Sequence, residues 1–187
     1  MFGFEKHNLN VVQVQDSTYK LPREFVWTII LVMAIVLQYV ATIYLVTMRA
    51  RIAAFRRKFM HNFDAEHKKA FPEKDKAPQF GYPDSGNGRF GKKLSYKEWF
   101  EMACGQRCQI NFLEHLHYAI LAPLIIGLVY PTAATVIASF IFIGRLLFTI
   151  GYSTQGPSGR MVGALTMDLA LFVGFGYLIA AALALGK

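Results

Sequence analysis

Between Phe25 and Met48 the chain runs for 24 residues without a charged side chain. A helix of about 20 apolar residues is long enough to cross the hydrocarbon core of a bilayer. Helices and closed barrels are the structures that satisfy their own backbone hydrogen bonds there. Three later stretches repeat the pattern. Leu116 to Tyr130 is apolar apart from His117 and reaches spanning length when extended back to Arg107. Thr132 to Gly151 is interrupted only by Arg145, and Met161 to Leu185 only by Asp168. Hydrophobic residues make up 54% of the chain, more than a water-soluble domain carries. These features predict an all-α fold, an integral membrane four-helix bundle, with spans at about 25–48, 107–130, 132–152 and 161–185. Residues 1–187 are read as a single membrane domain in a multi-pass protein.

The charges predict its orientation. Arg49 to Glu98 holds thirteen Lys or Arg against six acids, while the whole chain has a net charge of +8. Short loops rich in Lys and Arg stay on the cytosolic side. The 49–98 loop and the Tyr152 to Arg160 connection are therefore expected in the cytosol, with both termini and the turn at Tyr130 to Thr132 on the far side. The basic excess then reports topology and attraction to anionic membrane lipids, and no nucleic-acid partner is expected. The first 24 residues lack the basic start and apolar core of a cleavable signal, so the first span is expected to insert the chain by itself. Cys104 and Cys108 fall on the cytosolic side, where thiols stay reduced. His115 and His117 do not share a helical face with both, so free thiols are expected and no metal site.

Local signals divide the rest. The first helix is expected to run past Met48, because RARIAAFRRKF keeps an apolar residue at every third or fourth position. Gly81 to Gly91 is dense in turn-forming residues and reads as a loop. The second helix is expected to restart near Ser95, where SYKE has the form of a capping box with Glu98 three residues on.

Candidate chemistry lies on the second and third spans. Arg107, Asn111, Glu114 and Tyr118 follow each other at spacings of four, three and four, which return to one face of a helix. A guanidinium holds a carboxylate as a fork, a carboxylate takes an ammonium, and an amide fixes peptide groups. A small zwitterionic ligand suits that set. The alternative is an interfacial helix start whose long side chains reach into the headgroups. Charges at this depth are costly and normally face protein, which favours the site for the four together. Arg145 and Asp168, each inside a span, are read as a structural ion pair or as part of the site, with Glu114 a second candidate partner for Arg145.

The motifs RCQINFLE, GRLLFTIGYSTQGPSGR and the following GAL resemble the membrane-associated proteins of eicosanoid and glutathione metabolism, and among them the microsomal glutathione transferase 3 branch. The likeness covers roughly residues 100–175. It implies a four-helix membrane fold assembled as a trimer, with glutathione as co-substrate bound between subunits near the cytosolic face. Carried over by position, Arg107, Gln109, Asn111, Glu114 and Tyr152 would hold glutathione, joined by Tyr118 from the same stripe. Arg160 would be catalytic, stabilising the thiolate, and Arg49 or Arg51 would add a weaker contact. Phe148 stands where several relatives have a tyrosine, which removes a hydrogen-bond donor. The expected function is a glutathione transferase, with a peroxidase capacity, acting on a lipophilic substrate from the bilayer. The alternative is a non-catalytic lipid-binding protein of the same fold, or an accessory subunit of a larger membrane assembly. The endoplasmic reticulum or a mitochondrial membrane is the expected location.

Overall fold

A computed structural model describes residues 21–186, and no strand occurs among them. In chain order the helices are α1 (Phe25–Ala54), α2 (Arg57–Met60), α3 (Asp64–Ala70), α4 (Tyr96–Gly127), α5 (Pro131–Gln155) and α6 (Met161–Leu185). Among the described residues, α1, α4, α5 and α6 are long and apolar enough to cross a membrane, which makes this a multi-pass integral membrane protein. The N-terminal tail, expected on the far side, lies for its first twenty residues outside the described part of the chain.

Two of the long helices start for a local reason. Ser95 Oγ accepts the Glu98 N–H while the Glu98 carboxylate accepts the Ser95 N–H, so α4 begins at the expected capping box. Its 32 residues extend roughly 48 Å at about 1.5 Å per residue, well beyond a hydrocarbon core of about 30 Å. The membrane helix therefore starts eleven residues before Arg107 and projects as a stalk. Pro131 opens α5 in its first turn, where a missing N–H costs no hydrogen bond. As expected, α1 continues past Met48, through a widened π turn at Ile43–Thr47.

Ile35, Phe112, Ile126, Ile137 and Ile141 form the centre of the bundle. Polar ties fix the register of α1: Thr28 Oγ1 lies 3.0 Å from Thr135 Oγ1, Gln38 Nε2 donates to Phe142 O, and Thr47 Oγ1 donates to Gly105 O at 2.9 Å. The closest approach is between α5 and α6. A Cβ on Gly163 would lie 2.2 Å from Phe148 N, so only glycine allows these backbones to touch.

The expected basic loop is a folded cap. Phe55, Met60, Phe63 and Ala77 make a small apolar core with Met102 of α4, closed by Phe59, Phe90 and Trp99. Asp84 holds its Gly-rich stretch together: Oδ1 accepts the N–H groups of Gly86 and Gly88, and Oδ2 those of Phe90 and Gly91, all at 2.6–2.8 Å. The turn requires Gly86 at φ 105, a left-handed conformation that favours glycine. Arg51, at the end of α1, is buried against this loop. Its guanidinium donates to Asp84 O and stacks 4.0 Å from the Tyr82 ring centroid. Arg57 grips the Asp64 carboxylate, which also accepts the Ala77 N–H at 2.9 Å.

Two carboxylates thus hold the cap, and both ionise more easily than usual. The Arg57 fork and the Ala77 amide bring Asp64 down to about 2. Burial opposes charge on Asp84, yet its four backbone donors together outweigh burial and hold the carboxyl below its usual range. A carboxyl whose folded pKa is depressed stabilises the folded form above its unfolded value and ceases to do so as pH falls through the folded value. Amide protection of residues 84–91, corrected for intrinsic exchange, should stay level from neutral pH down to the ordinary aspartate range at about 4 and be lost as the pH falls further below it. Asp84→Asn, which replaces one acceptor oxygen by a donor, should lose that protection at every pH. Protection unchanged in this variant would show that the carboxylate does not hold the loop.

Candidate functional site

Arg107, Asn111, Glu114 and Tyr118 lie along one flank of α4, because steps of three and four residues at about 100° each return to the same side. Arg107 and Glu114 are exposed on the single chain, and Asn111 is half-buried between them. Asn111 Nδ2 donates to Glu114 Oε2 at 3.4 Å. Its Oδ1 accepts from Arg145 Nη1 at 2.8 Å, which ties the α4 stripe to α5.

Arg145 is only 1% exposed. Its guanidinium lies 4.8 Å from the centroid of Phe112 and 5.8 Å from that of Phe148, an arrangement in which the faces of aromatic rings attract a cation. The ion pairs among the described residues all lie between residues 56 and 101, so neither Glu114 nor Asp168 closes a salt bridge to Arg145. Asp168 is exposed, and it faces Arg145 and Tyr118 across a cavity of about 20 Å³, room for roughly one water. The partner of the buried guanidinium is an amide, which the sequence spacing did not single out. Arg145 Nε has no hydrogen-bond partner among the described residues.

Tyr118 serves as a tie between helices: its hydroxyl donates to Leu171 O at 3.1 Å, and a Cβ on Gly174 would fall 2.2 Å from the Tyr118 hydroxyl oxygen. Gln109, two residues after Arg107, points roughly 200° around the helix, to the opposite flank. A single chain therefore does not bring Gln109 to the stripe. Arg51 is engaged by the cap, as described, whereas Arg49 is exposed. Cys104 and Cys108 are unpaired and buried, with Cys108 Sγ directed at Thr149 O.

At the end of α5, Tyr152 is buried two turns beyond Arg145, its ring 5.5 Å from that of Phe148. The chain then turns at Gly156, whose φ of 73 suits a residue without Cβ, and folds back so that a Cβ on Gly151 would lie 2.0 Å from Gly159 O. That fold-back brings the Arg160 guanidinium to 5.7 Å from the Tyr152 ring centroid. Beside it a cleft of about 630 Å³ opens between the ends of α1, α4 and α5, walled by Val46, Phe100, Cys104, Tyr152 and Gly156. Sequence reasoning named Tyr152 as a candidate and missed the cleft that it walls; Gly105, where a Cβ would meet Ala50 at 2.6 Å, is the local sign of the close helix crossing beside it.

The arrangement is a polar seam in a membrane bundle: an exposed guanidinium and an exposed carboxylate on the flank, an amide anchored from behind by a buried cation, and a second cation over an aromatic ring at the turn. The family model described as the MAPEG family matches residues 26–180, which run from the first turn of α1 to near the end of α6. The chain belongs to that family. No curated protein and no solved structure matches it.

The anchored amide should matter for stability as well as for any ligand. Asn111→Leu leaves the Arg145 charge without its acceptor and should destabilise the bundle by about 1.5–3 kcal/mol, the contribution of a hydrogen bond to a charged group. Thermal unfolding in detergent measures this. A variant as stable as the parent would show that Arg145 is compensated elsewhere.

Proposed function

We propose that this protein is a membrane glutathione S-transferase with glutathione peroxidase capacity, of the microsomal glutathione transferase 3 kind. The observation that carries the reading is the α4 flank: Arg107, Asn111 and Glu114 side by side, with Asn111 fixed by Arg145 and a separate cation, Arg160, held over Tyr152. Glutathione has two carboxylates, an ammonium, two peptide groups and a thiol. Arg107 would hold a carboxylate, Glu114 the ammonium and Asn111 a peptide group, with Tyr152 lining the far side. Arg160 would act on sulfur. A free thiol with a pKa near 8.5 is only a few per cent ionised at neutral pH, and a guanidinium nearby favours the nucleophilic thiolate. That thiolate displaces a leaving group from a lipophilic carbon. With a hydroperoxide it takes the distal oxygen, releasing an alcohol, and a second glutathione then yields the disulfide and water.

In the same reading the protein works as a homotrimer. The exposure of Arg107 and Glu114 on the flank of a lone subunit, and the opposite aim of Gln109, suit a site shared between neighbours. The lipophilic partner arrives from the bilayer, and the host membrane is that of the endoplasmic reticulum or a mitochondrion. One observation favours a second reading, a non-catalytic lipid-binding or accessory subunit: Phe148 is buried against Tyr152 and offers no hydroxyl to a bound thiol.

Arg107→Ala and Glu114→Ala should each weaken glutathione binding by about ten- to a hundredfold, the loss of one charge-assisted hydrogen bond. Calorimetric titration of the purified protein reads this, and parental affinity in both variants would remove the stripe from the site. Arg160→Ala should separate binding from activation. Affinity should hold, while the pH profile of thiolate absorbance moves upward and turnover drops. Unchanged profile and turnover would exclude Arg160 as activator, and a parent inert toward electrophiles and lipid hydroperoxides would select the non-catalytic reading.

A further inference from the structure

Between Arg89 and Lys97 the chain carries four cations and no carboxylate, immediately before a membrane-spanning helix. Arg89 is paired with Glu66, and Lys97 stands 3.9 Å from Glu101. Lys92 and Lys93 are exposed and form no ion pair among the described residues. Lys92 stands at a groove of about 510 Å³ between the Asp84-centred loop and the first turns of α4, with Asn87, Leu94, Tyr96 and Trp99 as its other side-chain walls. The nearby carboxylates are already engaged: Asp84 by its four amides, Glu98 by Ser95 and Arg56. The groove therefore presents positive charge beside an aromatic floor, as an anionic headgroup requires.

Its height restricts the headgroup further. With Gly127, where α4 ends, taken as the opposite boundary, Trp99 is 28 residues along the helix, about 42 Å, and so roughly 12 Å beyond a core of about 30 Å. A phosphate at the ordinary glycerol level lies below that. A ring bearing further phosphates stands out from the surface and reaches it. We propose that this groove seats the polyphosphorylated headgroup of an anionic membrane lipid, of the inositol phosphate class. Juxtamembrane clusters of Lys and Arg attract such lipids, each cation adding about fivefold in affinity. The proposal does not depend on the glutathione reading, and its test involves no thiol.

Trp27 and Trp99 are the chain's two tryptophans, and Trp27 is 60% exposed on α1, so Trp27→Phe leaves Trp99, at the groove, as the only tryptophan, excited selectively over tyrosine at the red edge of its absorption. The full-length Trp27→Phe protein is placed in phosphatidylcholine nanodiscs doped with phosphatidylinositol bisphosphate. Trp99 emission should change saturably with the doped lipid and should not respond to phosphatidylcholine alone. Lys92→Gln with Lys93→Gln should weaken the response about 25-fold, two lysines at about fivefold each. Asn87→Asp, which adds one negative charge at the groove without removing a lysine, should weaken it as well. Lys58→Gln with Lys69→Gln, which removes two exposed cap lysines away from the groove, should leave it unchanged. Equal loss in that control, no loss in the groove variants, or equally tight binding of soluble inositol trisphosphate would overturn the proposal.

Discussion

Where α5 meets α6, two backbones touch. Gly144 and Gly163 face each other so closely that a Cβ on Gly163 would lie 2.6 Å from Gly144 O, and Gly151 meets Gly159 in the same way one turn from the connection. In a bilayer no hydrophobic force drives helices together, so packing of small residues and interhelical hydrogen bonds must do so. The contact fixes the rotation of α5. Arg145, next to Gly144, then points toward α4, and Tyr152, next to Gly151, lies beneath the fold-back that delivers Arg160. The seam of polar groups is set by this glycine register before any ligand is considered.

Arg145 is what that register costs. A guanidinium inside a membrane bundle is expensive unless it is hydrogen-bonded, and here the partner is the Asn111 amide, with Phe112 and Phe148 on either side. An amide partner has a consequence that a carboxylate would not have. Because Asn111 satisfies Arg145 without a carboxylate, Glu114 forms no salt bridge among the described residues and stays on the exposed flank beside Arg107, with its charge available to a ligand.

The sequence made the spans legible because apolar length is a local property, and the α4 start legible because a capping box is written in four consecutive residues. The stripe of Arg107, Asn111, Glu114 and Tyr118 was equally local, since helical periodicity alone aligns it. What escaped was non-local. Phe55, Phe63, Phe90 and Met102 become a core only after the Gly-rich stretch curls around Asp84, and composition alone made that stretch read as a loop. Arg51 was counted among the basic loop charges and, with Arg49, as a weaker glutathione contact, yet the curl of that same stretch buries it. For Arg145 the spacing offered two carboxylates, whereas the actual partner depends on how far α5 is turned toward α4. Pairings between elements follow from packing, and packing is not periodic in the chain.

The cap and the seam meet on α4, which explains why that helix is so long. Met102 and Trp99 belong to the cap core, Arg107 to the seam, and they share one rigid element without a break. The two occupy different flanks: Met102 lies about 140° around the helix from Arg107, five residues away, whereas Gln109 returns to within roughly 20° of Met102 after seven. The flank that carries Gln109 is therefore the flank that carries the cap, two turns deeper toward the membrane. If a neighbouring subunit presents its Gln109 flank to the seam, its cap stands above the same opening. A rigid stalk is what lets a folded cap keep that position, because a flexible linker between cap and span would uncouple the two.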